Sequence, residues 1–513
     1  MNLRRTQTGR AALSSRPGAA LTALAAAQFT VMLATSIVNV ALPQIRAGAG
    51  LSDEGTTWVV NAYGLAFGAL LLAGGRAADL LGRRRVLVAG LAVFATASLA
   101  AGLATSASVL IAARAVQGLG AAAVAPAALA LTMDLFPPGP GRGRALAVWG
   151  AVSGAGGAGG VLLGGLLTQA WGWPWIFHAV ALGTALVLAA ATALVPRTAE
   201  PKDERADGRA DGRADGRFDL LGTVTVTLAL TGLVWGLTSA RGTGWTDARV
   251  LGALLGAVAL LMVFVAVELR RPNALVPPRL FAVGRVAAGN LLMALLGSVW
   301  IALFFFLPLY QQQVLGSTPL ATGAGQLPLA VAGMLGSALA PRLSRRVGVT
   351  AGATTSLLTA AAGLLWMSRI GADGSYTADV LGPSLLIGAG LSGAFVQLTA
   401  LAVEGVPRHD VGLAGGLVNT ARQVGGSIGL AVLTTLAGSV TTRASSHQPP
   451  LEALTAGYRA AFMVSAAVLT ATALLTPVLV RRTGRTLPHN ATASAGPTAT
   501  PRRDRTVPCP PAA

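Results

Sequence analysis

Two stretches of this chain place an arginine inside an apolar run long enough to cross a bilayer. One reads Arg114-Ala-Val-Gln117-Gly118-Leu-Gly120, the other Asn419-Thr-Ala-Arg422-Gln423. A guanidinium in hydrocarbon costs about 3 kcal/mol unless it is paired or hydrated, so each marks a functional position by default. Arg114 lies only six residues into its run, so snorkelling to the interface is an alternative there; Arg422 lies deeper. Of the 19 acids, none sits at a clear midplane position. Asp79, Asp134 and Glu404 fall at the ends of apolar runs, as does His178, whose ordinary pKa lets it respond to the pH outside. Together with Arg114, the candidates for moving a proton are Asp134, His178 and Glu404. A lone His in this place also packs as an ordinary hydrogen-bonded side chain. Catalysis finds no footing: there are no paired acids, no Ser/His set and no metal-ligand spacing. No phosphate-binding Gly-x-x-x-x-Gly-Lys-Ser/Thr run occurs, so ATP is not the expected energy source, and no cofactor or metal is expected. An enzyme is not expected.

The elements that must position these residues are membrane helices. The chain has 513 residues, 53% hydrophobic and 11% charged, where a soluble protein carries about a quarter charged. Taking about 20 apolar residues per crossing, spans fall near 19–42, 56–78, 86–105, 108–134, 143–170 and 174–195. Two more follow near 219–240 and 248–269, then six near 285–311, 320–342, 348–370, 378–404, 409–437 and 456–480. That makes about fourteen, an all-α polytopic protein in the lipid bilayer with both termini on one side. The net charge of +19 lies in short loops and tails rather than on one stripe, so it orients the chain and does not indicate nucleic acid. Arg142, Arg144, Arg270, Arg271, Arg279, Arg285, Arg342, Arg345, Arg346, Arg408, Arg481, Arg482 and Arg485 fall on one face, against Arg46, Arg241, Arg249, Arg443 and Arg459 on the other. The richer face is expected to be cytoplasmic. The expected organisation is a tail (1–18), a six-helix bundle (19–195), a flexible linker (196–218) with Ala-Asp-Gly-Arg three times running, and two additional helices (219–269). A connector (270–284), a second six-helix bundle (285–482) and a disordered tail (483–513) complete it.

Between the second and third spans stands Gly75-Arg-Ala-Ala-Asp79-Leu-Leu-Gly82-Arg83-Arg84-Arg85. Three adjacent arginines must face water, and with Asp79 they can pair with each other and with helix ends. The pattern resembles the loop signature of the major facilitator superfamily, with Leu80 standing where an arginine is usual. Leu339-Ala-Pro-Arg342-Leu-Ser-Arg345-Arg346 lies at the same place in the last six spans and looks like a worn copy. The glycine-rich fifth span, with Gly150, Gly154, Gly160, Gly164 and Gly165, resembles the fifth-helix signature of facilitator antiporters, Val161 replacing the proline. Helix packing explains such glycines equally well. Its formal Gly-x-Gly-x-x-Gly follows no strand and is no dinucleotide site. Gly425-Gly426-Ser-Ile-Gly429 repeats the theme in the second half.

Arg114-x-x-Gln117-Gly118 resembles the family's fourth-helix signature, where the arginine is associated with proton transfer. Ser36-Ile-Val-Asn39-Val-Ala-Leu-Pro43, Trp58-Val-Val-Asn61-Ala-Tyr63, Phe218-Asp219-Leu-Leu-Gly222, Phe306-Leu-Pro308-Leu-Tyr310-Gln311-Gln312 and the Arg422 stretch extend the likeness over nearly the whole chain. Together they resemble the fourteen-span drug:proton antiporters. The resemblance implies two pseudo-symmetric six-helix bundles plus two extra helices, with substrate between the bundles near the midplane. It implies export of a small hydrophobic molecule in exchange for protons, by a chain that is monomeric and lies in the cell membrane. Asp79 and Arg83–Arg85 would then stabilise one end state through pairing between the bundles. Cavity candidates by the same analogy are Asn39, Asn61, Tyr63, Gln117, Asn290, Trp300, Gln397, Asn419, Arg422 and Gln423. One position departs: Ala34 stands where these exporters carry an aspartate, which points away from quaternary ammonium drugs and toward neutral, zwitterionic or anionic compounds. The alternatives are a proton-driven importer of the same fold and a non-transporting membrane receptor or scaffold.

Overall fold

The computed structural model describes residues 17–136, 139–196, 219–271, 276, 278–406 and 410–483. The linker expected at 196–218 and the tails expected at 1–18 and 483–513 lie almost wholly outside them. Among the described residues, fourteen helices are long and apolar enough to span a membrane. The first six are α1 (Pro17–Gly48), α2 (Asp53–Leu81), α3 (Arg83–Gly102), α4 (Ala107–Leu135), α5 (Pro140–Trp171) and α6 (Pro174–Leu194). Two follow, α7 (Leu220–Thr243) and α8 (Ala248–Arg270). The last six are α9 (Val286–Gln313), α10 (Pro319–Val347), α11 (Val349–Met367), α12 (Tyr376–Ala402), α13 (Val411–Ala444) and α14 (Pro450–Thr483). The expected spans 19–42, 409–437 and 456–480 are each too short at one or both ends. Turns carrying polar or charged residues, such as Gln44 and Arg46 in α1 and Thr441, Thr442 and Arg443 in α13, continue those helices where apolarity no longer reports them. We call the side carrying the α2–α3 turn the arginine face.

The two sets of six repeat one packing scheme. In the first, α1 packs on α5, α2 and α3 on α4, and α3 and α1 on α6. In the second, α9 packs on α13, α10 and α11 on α12, and α11 and α9 on α14. Glycine makes the tightest of these contacts. Gly156, Gly160 and Gly164 recur every fourth residue on the face of α5 that meets α1, and a Cβ on Gly160 would stand 2.7 Å from the carbonyl oxygen of Leu33. Gly425 and Gly429 of α13 meet Ala294 and Ser298 of α9 in the same way. Small residues let backbones approach where lipid offers no hydrophobic drive for association. Gly160→Leu is therefore expected to cost at least ~1–3 kcal/mol of overpacking and to sharply reduce the monodisperse protein recovered in detergent. Gly154→Ala, with open space around it, should retain wild-type recovery.

Equivalent turns also match. Gly82 ends α2 at φ 96° and Gly348 ends α10 at φ 85°, the left-handed region glycine favours. In the second turn the arginines precede the glycine, so Arg345 and Arg346 sit in the last turn of α10, where the helix dipole favours cations. In the first turn Arg83–Arg85 open α3, where the dipole disfavours them, and they need partners.

The bundles meet along two seams. In one, α2 runs against α13: Gly68 of α2 lies against Gln423 and Gly64 against Ser427. In the other, α5 touches α10, where Gly165 meets Pro319 and Gly323 meets Val161. The α5–α10 contacts, the hydrogen bond from Gln44 to Gln312 (3.0 Å) and that from the Leu320 amide to Gln169 (3.2 Å) lie toward the face opposite the arginines. The α2–α13 seam, by contrast, runs on toward the arginine face, where Leu72 meets Gly416 and clusters with Leu417 and Val286. The α5 stripe that carries Val161 and Gly165 continues through Gly157, Gly154 and Gly150 toward the arginine face, and there nothing lies within 4 Å of it. Along α5 the bundles are thus joined toward one face and open toward the other, while α2 and α13 stay packed in both directions. The inserted α7 packs on both α2 and α13, outside the first seam, while α8 packs on α7.

Candidate transport site

At the α2–α3 turn, Arg83 bridges two acids, Asp79 at 3.1 Å and Asp134 at 2.6 Å. Arg84 donates to the carbonyls of Thr192 and Val195, capping the negative end of α6. These four partners belong to the first bundle. The pairing between bundles expected of Asp79 and Arg83–Arg85 is thus not made by Arg83 or Arg84 in this state; they lock α2, α3, α4 and α6 to one another instead. Their groups are half exposed, so each pair contributes ~1 kcal/mol or less. Glu404 pairs with Arg285 at 2.6 Å on the same face. His178 lies at the other face, its ring against Gly102 and edge-on to Trp175.

Arg114 does not snorkel. It is 1% exposed and folds inward beneath α2, donating from Nε to the Val59 carbonyl (3.0 Å) and from Nη1 to Gln117 Oε1. Gln117 donates onward to Ser98 Oγ (2.7 Å), and Ser98 to the Phe94 carbonyl. The Tyr63 ring covers the guanidinium, 4.4 Å from Cζ to the centroid, a contact worth ~2 kcal/mol when dry. The Tyr63 hydroxyl donates to the Val31 carbonyl and accepts from Thr35, both at 3.2 Å, which fixes the ring against α1.

Across the junction, Arg422 donates to Asn419 Oδ1 at 2.9 Å and stands 5.8 Å from the Phe395 ring. Phe395 and Phe304 both pack on Trp300. Unlike Arg114, Arg422 is only half buried. Its Nε–H donates to no partner among the described residues. Neither guanidinium forms an ion pair with a carboxylate among the described residues. Each bundle thus presents a buried or half-buried cation that no described acid pairs.

The remaining candidates divide. Asn61 and Gln423 line the α2–α13 seam and keep buried polar atoms without partners. Gln397 turns into the second bundle, accepting from Ser356 at 2.9 Å, the counterpart of Gln117 with Ser98. Asn290 donates back to Val286, one turn from the arginine face, and Asn39 is buried along α1 near the opposite face. Those three are not brought to the centre, because each spends its amide on its own bundle or lies at its rim. Of the five glycines singled out in α5, Gly160 and Gly164 meet α1, Gly165 meets α10, and Gly150 and Gly154 meet open space. Sequence reasoning missed Thr35, Ser98 and Phe395, and it left Arg369 out of the face count; Arg369 follows α11, opposite the arginine face.

Ala34 is 1% exposed and lies beside Val31 and Thr35, which hold Tyr63. Ala34→Asp would set a carboxylate beside Tyr63. It is expected to raise efflux of a lipophilic dication on the order of tenfold, ~1.4 kcal/mol, measured as dye loss from loaded cells.

Two matched six-helix bundles packed together around a charged centre define a membrane transporter. A family model described as Major Facilitator Superfamily matches residues 24–430. The chain is 41% identical over 483 residues to the cephamycin export protein CmcT of Amycolatopsis lactamdurans, covering 92% of this chain and 95% of that one. It is 38% identical to the puromycin resistance protein pur8 of Streptomyces alboniger, covering 94% and 95%. Among solved structures, an auto-inhibited peptide transporter of the POT family superposes with a TM-score of 0.67 over 91% of this chain and 96% of that one, at 16% identity. The chain belongs to the major facilitator superfamily.

Proposed function

We propose that this protein is a secondary active exporter, moving a small hydrophobic drug or natural product out of the cell in exchange for protons. The observation that carries this is the geometry of the junction: two bundles packed along α2 and α13 but, along α5, joined toward one face and open toward the other, around Tyr63, Arg114 and Arg422. Rocking one bundle on the other exposes that centre to each side in turn. The direction is supported by relatives named for export and resistance that match nearly end to end.

In this reading the arginine face is cytoplasmic, the protein works as a monomer in the plasma membrane, and the described state opens inward. Asp134 and Glu404 take up protons as their pairs with Arg83 and Arg285 break; Asp79 and Arg83–Arg85 hold the first bundle rigid while it moves. The residues that line the path are Tyr63, Trp300, Asn419 and Arg422, with Asn61 and Gln423 in the seam. The experiment is transport by everted vesicles across a panel of antibiotics and dyes, with and without a protonophore. Energy-dependent uptake that the protonophore collapses is expected. Uptake by right-side-out vesicles alone would establish an importer, and transport by neither would leave a receptor or scaffold.

A further inference from the structure

We propose that the exported compound carries a carboxylate, and that Arg422 is the group that receives it. This rests on the export reading above and narrows it to a substrate class. The two arginines at the centre differ in a way that assigns their parts. Arg114 is sealed, its donors spent on Val59 and Gln117 and its face covered by Tyr63. Among the described residues Arg422 is half buried, bonded only to Asn419 and with Nε unpartnered. A buried cation is retained when something compensates it, and here neither guanidinium forms an ion pair with an acid among the described residues.

The compensating charge must then arrive with the ligand. The Arg422 fork accepts a carboxylate through paired N–H bonds, while Phe395, Trp300 and Phe304 offer apolar and aromatic surface beside it. Arg114, behind the Tyr63 ring, adds positive potential without touching the ligand. Ala34 completes the selection, since the position beside Tyr63 supplies no negative charge to hold a cation. A monovalent anion leaving the cell is also driven outward by an inside-negative membrane potential.

The test uses one hydrophobe in three charge states: pyrenebutyrate, its methyl ester and pyrenebutylamine. Binding to the purified full chain is read by fluorescence anisotropy. The carboxylate is expected to bind at least tenfold tighter than the ester, and the amine most weakly. In Arg422→Gln the carboxylate-to-ester ratio should fall to near one, and in Arg422→Lys it should partly return; the ratio cancels partition into detergent. Equal or tighter binding of the amine by wild type overturns the proposal, as does a ratio unchanged in Arg422→Gln. Everted-vesicle uptake of the ester and the amine separates the two readings. Uptake of these with no preference for the carboxylate sinks the charge assignment and leaves export standing. A carboxylate preference without energised uptake of any of the three sinks export alone.

Discussion

Arg114→Gln is expected to abolish most transport while leaving the protein as stable as before, or more so. A packing residue would behave in the opposite way. Arg114 is 1% exposed and has no acid paired with it among the described residues, so relief of a desolvation penalty of several kcal/mol offsets the ~2 kcal/mol lost with the Tyr63 contact. Glutamine can still donate to the Val59 carbonyl or to Gln117, so little hydrogen bonding is forfeited. What goes is the positive potential under Tyr63, and with it at least ~1.4 kcal/mol of hold on a charged partner, a factor of ten. Thermal unfolding in detergent and vesicle uptake, measured on one preparation, check it. Lower stability with normal uptake would make Arg114 a strut and nothing more.

Gly154→Leu should separate folding from turnover in the other direction. Gly150, Gly154 and Gly157 lie on the α5 stripe that, further along, presses Val161 and Gly165 onto α10, yet they face open space in this state. A leucine there fits the described conformation and obstructs closure of the arginine end. Expected are normal recovery and ligand binding, with uptake reduced at least tenfold. A normal rate would mean that this stripe stays apart throughout the cycle.

The spans were legible in the sequence because lipid demands an apolar run of fixed length, and that demand is local. Helix ends were not, since a turn carrying polar or charged residues beyond the apolar run reads as neither inside nor outside. The buried arginines stood out because charge inside a span is costly. Their geometry did not: whether Arg114 reaches the interface or turns inward depends on Val59, Tyr63 and Gln117, which arrive from two helices. Ser98, Thr35 and Phe395 carry no signal of their own, being common residues made special by position. Gln397 shows the converse error. It is an amide in a span, but its partner Ser356 sits within its own bundle, and only packing reveals that. The paired acids of the arginine face were visible by type and loop position, whereas their choice of Arg83 and Arg285 was not.

The inserted α7 leaves the two sides of this molecule unequal. It is tied to the second bundle by Thr435 donating to the Leu237 carbonyl (2.9 Å) and to the first by Ser239 donating to Glu54 (2.6 Å). A greasy molecule approaching through the lipid therefore meets a walled flank along α2 and α13. Among the described residues no helix covers the flank between α5 and α10 in the same way.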